Sequence, residues 1–244
     1  MIVTVIGEYC LDIFVYGDVN RLSPEAPVPV LQPIETTQNP GMAGNVVENV
    51  LSFKPNCRII NFHQSNPIKK TRYVDRKSNH MFLRVDEDDF AEPFNLNISK
   101  TNSIINSDIV IVSDYNKGFL THEDLLSIGK NSKLSILDSK KVLNDDIVKS
   151  FTFVKMNFSE SKQNSHLTCT DNVIITLGGD GCKYKDEVFK SPSPKETIDV
   201  SGAGDTFTSS FILKFYETNN IKESITFANT MASIVVSKRG VTTP

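Results

Sequence analysis

From residue 109 onward, short runs of β-branched and apolar residues alternate with stretches of helical periodicity. Residues 109–112 read as a compact strand. Thr121 stands where a helix N-cap belongs, with Leu125, Leu126 and Ile128 behind it. Residues 135–137, 151–155 and 173–177 read as further short strands. Parallel strands cannot be joined by a tight turn, so each connection must cross over, usually through a helix. The alternation therefore implies an α/β fold, a doubly wound and mostly parallel sheet flanked by helices. Two long helices close the pattern. Phe207, Phe211, Ile212 and Phe215 share one stripe, and Ile225, Ala228, Met231, Ala232 and Val235 share another.

The first third reads differently. Residues 2–6 form a buried strand ended by Gly7, and residues 13–16 a second, shorter one. Pro24, Pro27 and Pro29 punctuate an extended stretch that runs through residues 28–31. Prolines at that density belong on a sheet edge or a separate flap. Asn39-Pro40-Gly41 reads as a turn, followed by a helix with Val46, Val47, Val50 and Leu51 on one face. Residues 71–85 alternate around Tyr73, Met81, Leu83 and Val85 with a bend at Lys77-Ser78-Asn79, the pattern of a hairpin. With residues 13–32 it makes a small β lid on a single domain spanning 1–244. The acidic run 86–89 reads as a solvated exit from that hairpin.

Charge and composition exclude several functions. A net charge of −3 argues against bulk nucleic-acid binding and against a polybasic membrane anchor. No run approaches the ~18 apolar residues of a membrane span, and the N-terminus lacks the basic lead of a signal peptide, so a cytoplasmic address is expected. Cys10, Cys57, Cys169 and Cys182 form no CxxC pair and read as isolated reduced thiols. His63, His80, His122 and His166 match no metal or triad spacing.

The segment richest in chemistry is Ser201-Gly202-Ala203-Gly204-Asp205-Thr206, just ahead of a long amphipathic helix. Gly202 and Gly204 let several backbone N–H groups converge at the positive end of a helix dipole, which favours an anion. Asp205 follows at once. A carboxylate repels phosphate, but it is well placed to take a proton from a hydroxyl beside one. An anion cradle with an adjacent base is the minimum equipment for phosphoryl transfer to an alcohol. The same residues also read as only a turn and a helix start. Asn157-Phe158-Ser159-Glu160 follows a strand, where ligands of open parallel sheets collect. Asn157 and Glu160 read either as holders of a hydrated Mg²⁺ or as a helix cap. Thr176-Leu177-Gly178-Gly179-Asp180-Gly181 reads either as a loop at a nucleotide's edge or as an ordinary hairpin turn.

In this order the motifs resemble the ribokinase-like (PfkB) carbohydrate kinases. The resemblance implies that Gly202, Ala203, Gly204 and Asp205 supply anion hole and catalytic base. It implies that Asn157, Phe158, Ser159 and Glu160 help bind Mg-ATP, and that Thr176, Leu177, Gly178 and Gly181 lie by the nucleotide. Gly17-Asp18, the run Ser-Pro-Glu-Ala-Pro-Val-Pro-Val over 23–30, Pro40-Gly41, Leu83-Arg84-Val85-Asp86, Ser113-Asp114-Tyr115, Lys117-Gly118 and Lys238-Arg239-Gly240 carry it across nearly the whole chain. These features are similar to the subgroup acting on heptose 7-phosphate. The resemblance implies that Asp12, Gly41 and Asn45 hold sugar hydroxyls, that Asp114 and Lys117 also face the substrate, and that Lys117, Arg72 or Arg84 meets its phosphate. It further implies that Asp199 lies near a monovalent-cation site and that the lid pairs two subunits. Two departures stand out. Met42 occupies a position where relatives usually have a second glycine, and the stretch 53–69 is too short for their additional strand–helix segment. No nucleotidyltransferase half like that of bifunctional relatives is expected. The expected activity is ATP-dependent phosphorylation of a sugar. The rivals are another small-sugar or nucleoside kinase, or an impaired kinase kept as a nucleotide- or sugar-binding regulatory protein.

Overall fold

A computed structural model describes residues 1–192, 200–238 and 242–244. In chain order the elements are β1 (Ile2–Gly7), β2 (Tyr9–Leu22), β3 (Pro29–Met42), α1 (Ala43–Phe53), β4 (Arg58–Phe62), β5 (Ile68–Asp75), β6 (Met81–Glu87), α2 (Ile98–Ile105) and β7 (Ile109–Asp114). Then come α3 (His122–Asn131), β8 (Ser135–Ser139), α4 (Asp145–Ser150), β9 (Phe153–Asn157), α5 (Phe158–Gln163), β10 (Val173–Thr176), β11 (Cys182–Tyr184), β12 (Glu187–Phe189), α6 (Ala203–Thr218) and α7 (Ile221–Val235).

The main sheet has the order β12-β11-β10-β9-β8-β7-β1-β4. From β10 to β4 every neighbouring pair is parallel, and β11 and β12 add an antiparallel hairpin at one edge. Side-chain alternation splits its residues between two cores. Val110 and Val112 pack on the face with Leu125, Ile128 and Ile147. Ile109 and Ile111 pack on the other with Val46, Val50, Phe207 and Phe211. The α3 start is capped as its sequence indicates: Thr121 and Asp124 form a reciprocal capping box. The strand expected at 151–155 begins two residues later, because Phe151 is spent closing α4 and its N–H bonds to the Val148 carbonyl.

A second sheet, β3-β2-β5-β6, forms the lid. Its strands are longer than the sequence indicates, 14 residues each in β2 and β3. Asn39-Pro40-Gly41 is not a turn. It is the end of β3, with Asp12 opposite Asn39 and Leu11 opposite Pro40. The prolines are tolerated because β3 is an edge strand, whose outer N–H groups need no partner. The acidic run at the lid's exit is partly paired: Arg84 holds Asp86, and Lys117 holds Asp89.

The shortened stretch has a structural counterpart. β4 is the edge of the main sheet beyond β1, and His63 to Pro67 lead straight into β5. Met42, between β3 and α1, has φ 55° and ψ −129°, backbone space that suits glycine far better than a side chain. Its side chain is buried with Cys10, Ile68 and Tyr115 at the hinge of the lid.

Phe211 is fully buried and meets Phe153 edge-on at 4.9 Å between ring centroids, at the centre of the α6–sheet core. Phe211→Ala should cost about 3–5 kcal/mol, read as a lowered midpoint in urea. A loss below ~1 kcal/mol would show that this core does not anchor α6.

Candidate active site

Most of the side chains assembled here stand at the carboxyl ends of the parallel strands, where open α/β sheets bind ligands. Glu8 follows β1, Tyr115 follows β7, Asp138 lies near the end of β8, Asn157 ends β9 and Thr176 ends β10. A cleft of about 720 Å³ opens along this edge. Gly202, Ala203, Gly204 and Asp205 form one wall, Asn157, Phe158 and Ser159 another, and Thr176, Leu177, Gly178 and Gly181 a third.

The helix start is built for an anion. Gly202 caps α6 with φ 79°, a left-handed conformation that a side chain would resist. Among the described residues the first-turn amides of Gly204 and Asp205 have no backbone partner, so they face outward at the positive end of a 16-residue helix. Lys155 sits directly beneath: a Cβ at Gly204 would lie 3.2 Å from its Nζ.

Asp205 is almost fully buried. Asn45 Nδ2 donates to its Oδ2 at 2.8 Å and the Tyr115 hydroxyl donates to its Oδ1 at 3.1 Å. Burial pushes its pKa up to about 6. The Asn45 bond, Lys155 and Tyr115 pull the other way, and Asp138 adds to the rise. Burial and the Asp205 charge in turn keep the Tyr115 phenol protonated. Lys155 is buried against Asp138, 2.8 Å away. Desolvation opposes its charge, but Asp138, Glu160 and Asp205 outweigh it and hold the ammonium above the usual lysine range.

Several expected ligands stand elsewhere or do other work. Asp12 is buried within the lid sheet, accepting from Arg72 and, at 3.7 Å, from the Cys10 thiol. Gly41 lies so close that a Cβ there would come within 2.0 Å of Asp12 Oδ2. Asn45 bonds Asp205. Asp114 lies outside the cleft: it is fully buried, with Lys141 Nζ at 2.7 and 2.9 Å and Ser139 donating to it. Its place at the end of β7 makes it an internal counter-ion. Lys117 holds Asp89, and its backbone N–H donates to Glu8 at 2.8 Å. Arg72 and Arg84 are likewise taken by Asp12 and Asp86. Asp199, Arg239 and Gly240 lie outside the described residues.

Asn157 and Glu160 form a reciprocal capping box at the start of α5. Asn157 Oδ1 accepts from the Glu160 N–H at 2.8 Å, and Glu160 Oε2 accepts from the Asn157 N–H at 2.6 Å. Lys140 adds an ion pair to Glu160 Oε1. Among the described residues no three His, Cys, Asp or Glu side chains gather as a ligand set. Asn157 lines the cleft, whereas Glu160 is nearly buried behind it with both oxygens engaged by the cap and Lys140; an amide there would suit a Mg²⁺ that keeps most of its water and is carried on nucleotide phosphates. The Thr176–Gly181 segment is a hairpin connection between β10 and β11, and Thr176, Leu177, Gly178, Gly179 and Gly181 line the cleft.

Sequence reasoning missed Tyr115 as a partner of Asp205, and missed Asp138, Lys140 and Lys155 altogether. Lys155 carried a signal: a lysine inside Phe153-Val154-Lys155-Met156 is an ammonium in a buried strand, which requires a partner. Asp138 stood in the matching place on the neighbouring strand, paired with it in register.

The fold is that of ribokinase. Ribokinase of Thermotoga maritima superposes with a TM-score of 0.73 at 21% identity, covering 98% of this chain and 94% of its own. A ribokinase of Arabidopsis thaliana complexed with ribose and ATP gives 0.70 at 14% identity, covering 98% and 93%. Residues 143–244 match the family described as pfkB family carbohydrate kinase. A bifunctional protein HldE of Helicobacter pylori is 30% identical over 98% of this chain, and that of a Nitratiruptor species is 29% identical over 99%. The chain spans 63% and 62% of the length of these two relatives. The first alignment runs over 293 residues, more than the 244 of this chain, so the relative carries internal segments that this chain lacks. Among the described residues no helix is long and apolar enough to cross a membrane.

The raised pKa of Asp205 carries a stability consequence. The folded protein holds this proton up to about pH 6, whereas the unfolded chain releases it near 3.8. The folded state therefore loses stability as pH rises from about 4 through 6. Asp205→Asn should unfold at a higher temperature than wild type at pH 8, with the gap closing at pH 4. An equal gap at both pH values would contradict the assigned shift.

Proposed function

We propose that this chain is an ATP-dependent sugar kinase. Its preferred acceptor is heptose 7-phosphate, and the anomeric C1 hydroxyl receives the phosphoryl group to give the 1,7-bisphosphate. The observation that carries the reading is a single buried carboxylate, Asp205, at the first turn of an anion-binding helix, between a nucleotide-sized cleft and the lid. Asp205 accepts the hydroxyl proton, the hydroxyl oxygen bonds to the γ-phosphorus, and the bond to the bridging oxygen breaks to release ADP. The Gly204 and Asp205 amides and the Lys155 ammonium stabilise charge on the transferring oxygens. Bound with the nucleotide, Mg²⁺ would neutralise its phosphates. Closure of the lid excludes water from the transfer.

The heptose preference rests on the 23–30 run and on identity of about 30% to the HldE proteins. It needs a cation for the acceptor's own phosphate, and the three expected ones are already paired. Lys70 fits better. It lies opposite Asp12 in β2 and opposite Asp86 in β6, so all three share a face of the lid. Arg72 and Arg84 occupy those two carboxylates. Lys70 has no ion pair among the described residues, and its Nζ stands 5.7 Å from the centre of the Tyr115 ring. The lid also offers a face to a second copy of the chain: β6 is exposed throughout and carries Met81, Phe82, Leu83 and Val85.

ADP release measured across a sugar panel tests the reading. Release should depend on sugar and be fastest with a phosphorylated heptose. Asp205→Asn should lower kcat by about a hundred- to ten-thousandfold with nucleotide affinity unchanged. Near-normal turnover in that variant would remove Asp205 from the base role. No sugar-stimulated release from wild type would favour a binding protein instead. Lys70→Met should raise the KM for the phosphorylated acceptor by roughly ten- to a hundredfold and leave the KM for ATP alone. An unchanged acceptor KM would put the phosphate elsewhere.

A further inference from the structure

Behind Asp205, between α1 and α6, the Asn45 amide is continued by two buried polar side chains, Asn49 and Thr206, that the chemistry above does not use. Asn45, Asn49 and Thr206 are at most 2% exposed, and neither Asn49 nor Thr206 lines the cleft. Asn45 and Asn49 are four residues apart on α1, so they share one face of the helix. Thr206 adjoins Asp205 on α6.

The bonds have a direction. Thr206 Oγ1 donates to Asn49 Oδ1 at 2.9 Å. Asn49 Nδ2 donates to Asn45 Oδ1 at 3.1 Å and to the Asn45 backbone carbonyl at 2.8 Å. Asn45 Nδ2 then donates to Asp205 Oδ2 at 2.8 Å. A side-chain amide can present either its oxygen or its nitrogen, so each orientation needs a cause. The Asn45 carbonyl can only accept, which pins the Asn49 nitrogen toward it. The Thr206 hydroxyl satisfies the Asn49 oxygen on the far side. With Asn49 fixed, the Asn45 oxygen is held away from Asp205 and its nitrogen toward it.

We propose that Asn49 and Thr206 are positioning residues: they lock the Asn45 amide as a permanent hydrogen-bond donor to Asp205, and so keep that carboxylate oriented and ionised for its acceptor. Without the lock Asn45 can turn its oxygen on Asp205. Two oxygens would then face each other in a dry site, an arrangement tolerable only when the carboxyl is protonated and useless as a base. The other groups facing Asp205 come from different elements: Cys10 on β2, Tyr115 after β7, Asp138 on β8 and Lys155 on β9. None bonds to Asn49 or Thr206, so variants at those two positions leave them in place. The inference rests on Asp205 being the base.

The test is the pH dependence of kcat in the full chain, with ATP and whichever sugar the panel identifies. Wild-type turnover should rise with pH through the Asp205 titration. In Thr206→Val, which removes the hydroxyl at nearly constant volume, and in Asn49→Leu, the acidic limb should move up by ~1 pH unit. Turnover at pH 6 should fall about fivefold, with the KM for ATP unchanged. Thr206→Ser, which keeps the donor, should return the limb to its wild-type position. A merely structural role would lower the melting temperature and leave the limb unmoved, and that result overturns the proposal. If Asp205→Asn abolishes turnover while both limbs stay put, the lock alone is wrong. If Asp205→Asn keeps turnover, the base reading fails and the lock falls with it.

Discussion

A carboxylate buried at the positive end of a long helix is the constraint on which this molecule is organised. Burial raises the pKa of Asp205 to about 6, while hydrogen bonds and a neighbouring ammonium still favour its anion. Dryness comes from the packing of α6 against the sheet and α1. The anion is supported by Asn45, by the Tyr115 hydroxyl and by the Lys155 charge. These partners arrive from α1, from the loop after β7 and from β9, so the doubly wound sheet is what makes the site possible. Glu8 extends the same logic: its buried carboxylate accepts from the Tyr115 and Lys117 N–H groups and fixes the loop that delivers Tyr115.

The parallel sheet was legible because its strands are short, apolar and separated by helices with clear caps, as at Thr121 and Asp124. The helix start at Gly202–Asp205 was legible because a glycine pair stands directly ahead of an amphipathic stripe, and the structure puts that start on the cleft. What could not be read was pairing. Asp138 and Lys155 are individually ordinary, and only the β8–β9 register makes them partners. The same holds for Tyr115, 90 residues from Asp205 in sequence, and for the Asn49–Thr206 contact across 157. Lys117, Arg72 and Arg84 are a further case of pairing: Asp89, Asp12 and Asp86 hold them, and neither the lid strands nor the exit loop announces those partners in the sequence.

The turn expected at 39–41 failed for a related reason. Local residue preferences suit a bend, but β2 supplies a long partner that holds the segment extended as far as Met42. At Met42 the conflict is absorbed in backbone conformation, in a region glycine would occupy more easily. The side chain is kept because it fills the hinge with Cys10, Ile68 and Tyr115. Tyr115 thus touches both the lid's base and the buried carboxylate of Asp205. The short stretch after α1 leads into β4 at the sheet edge beyond β1, on the opposite side of the sheet order from β10 to β12.

The most direct measurement is a crystal structure of the complex with a non-hydrolysable ATP analogue and heptose 7-phosphate. The account requires the terminal phosphoryl group within hydrogen-bonding reach of the Gly204 and Asp205 amides, and one sugar hydroxyl within about 3 Å of the Asp205 carboxylate. A nucleotide whose phosphates point away from the start of α6, or a sugar with no hydroxyl facing Asp205, would contradict it.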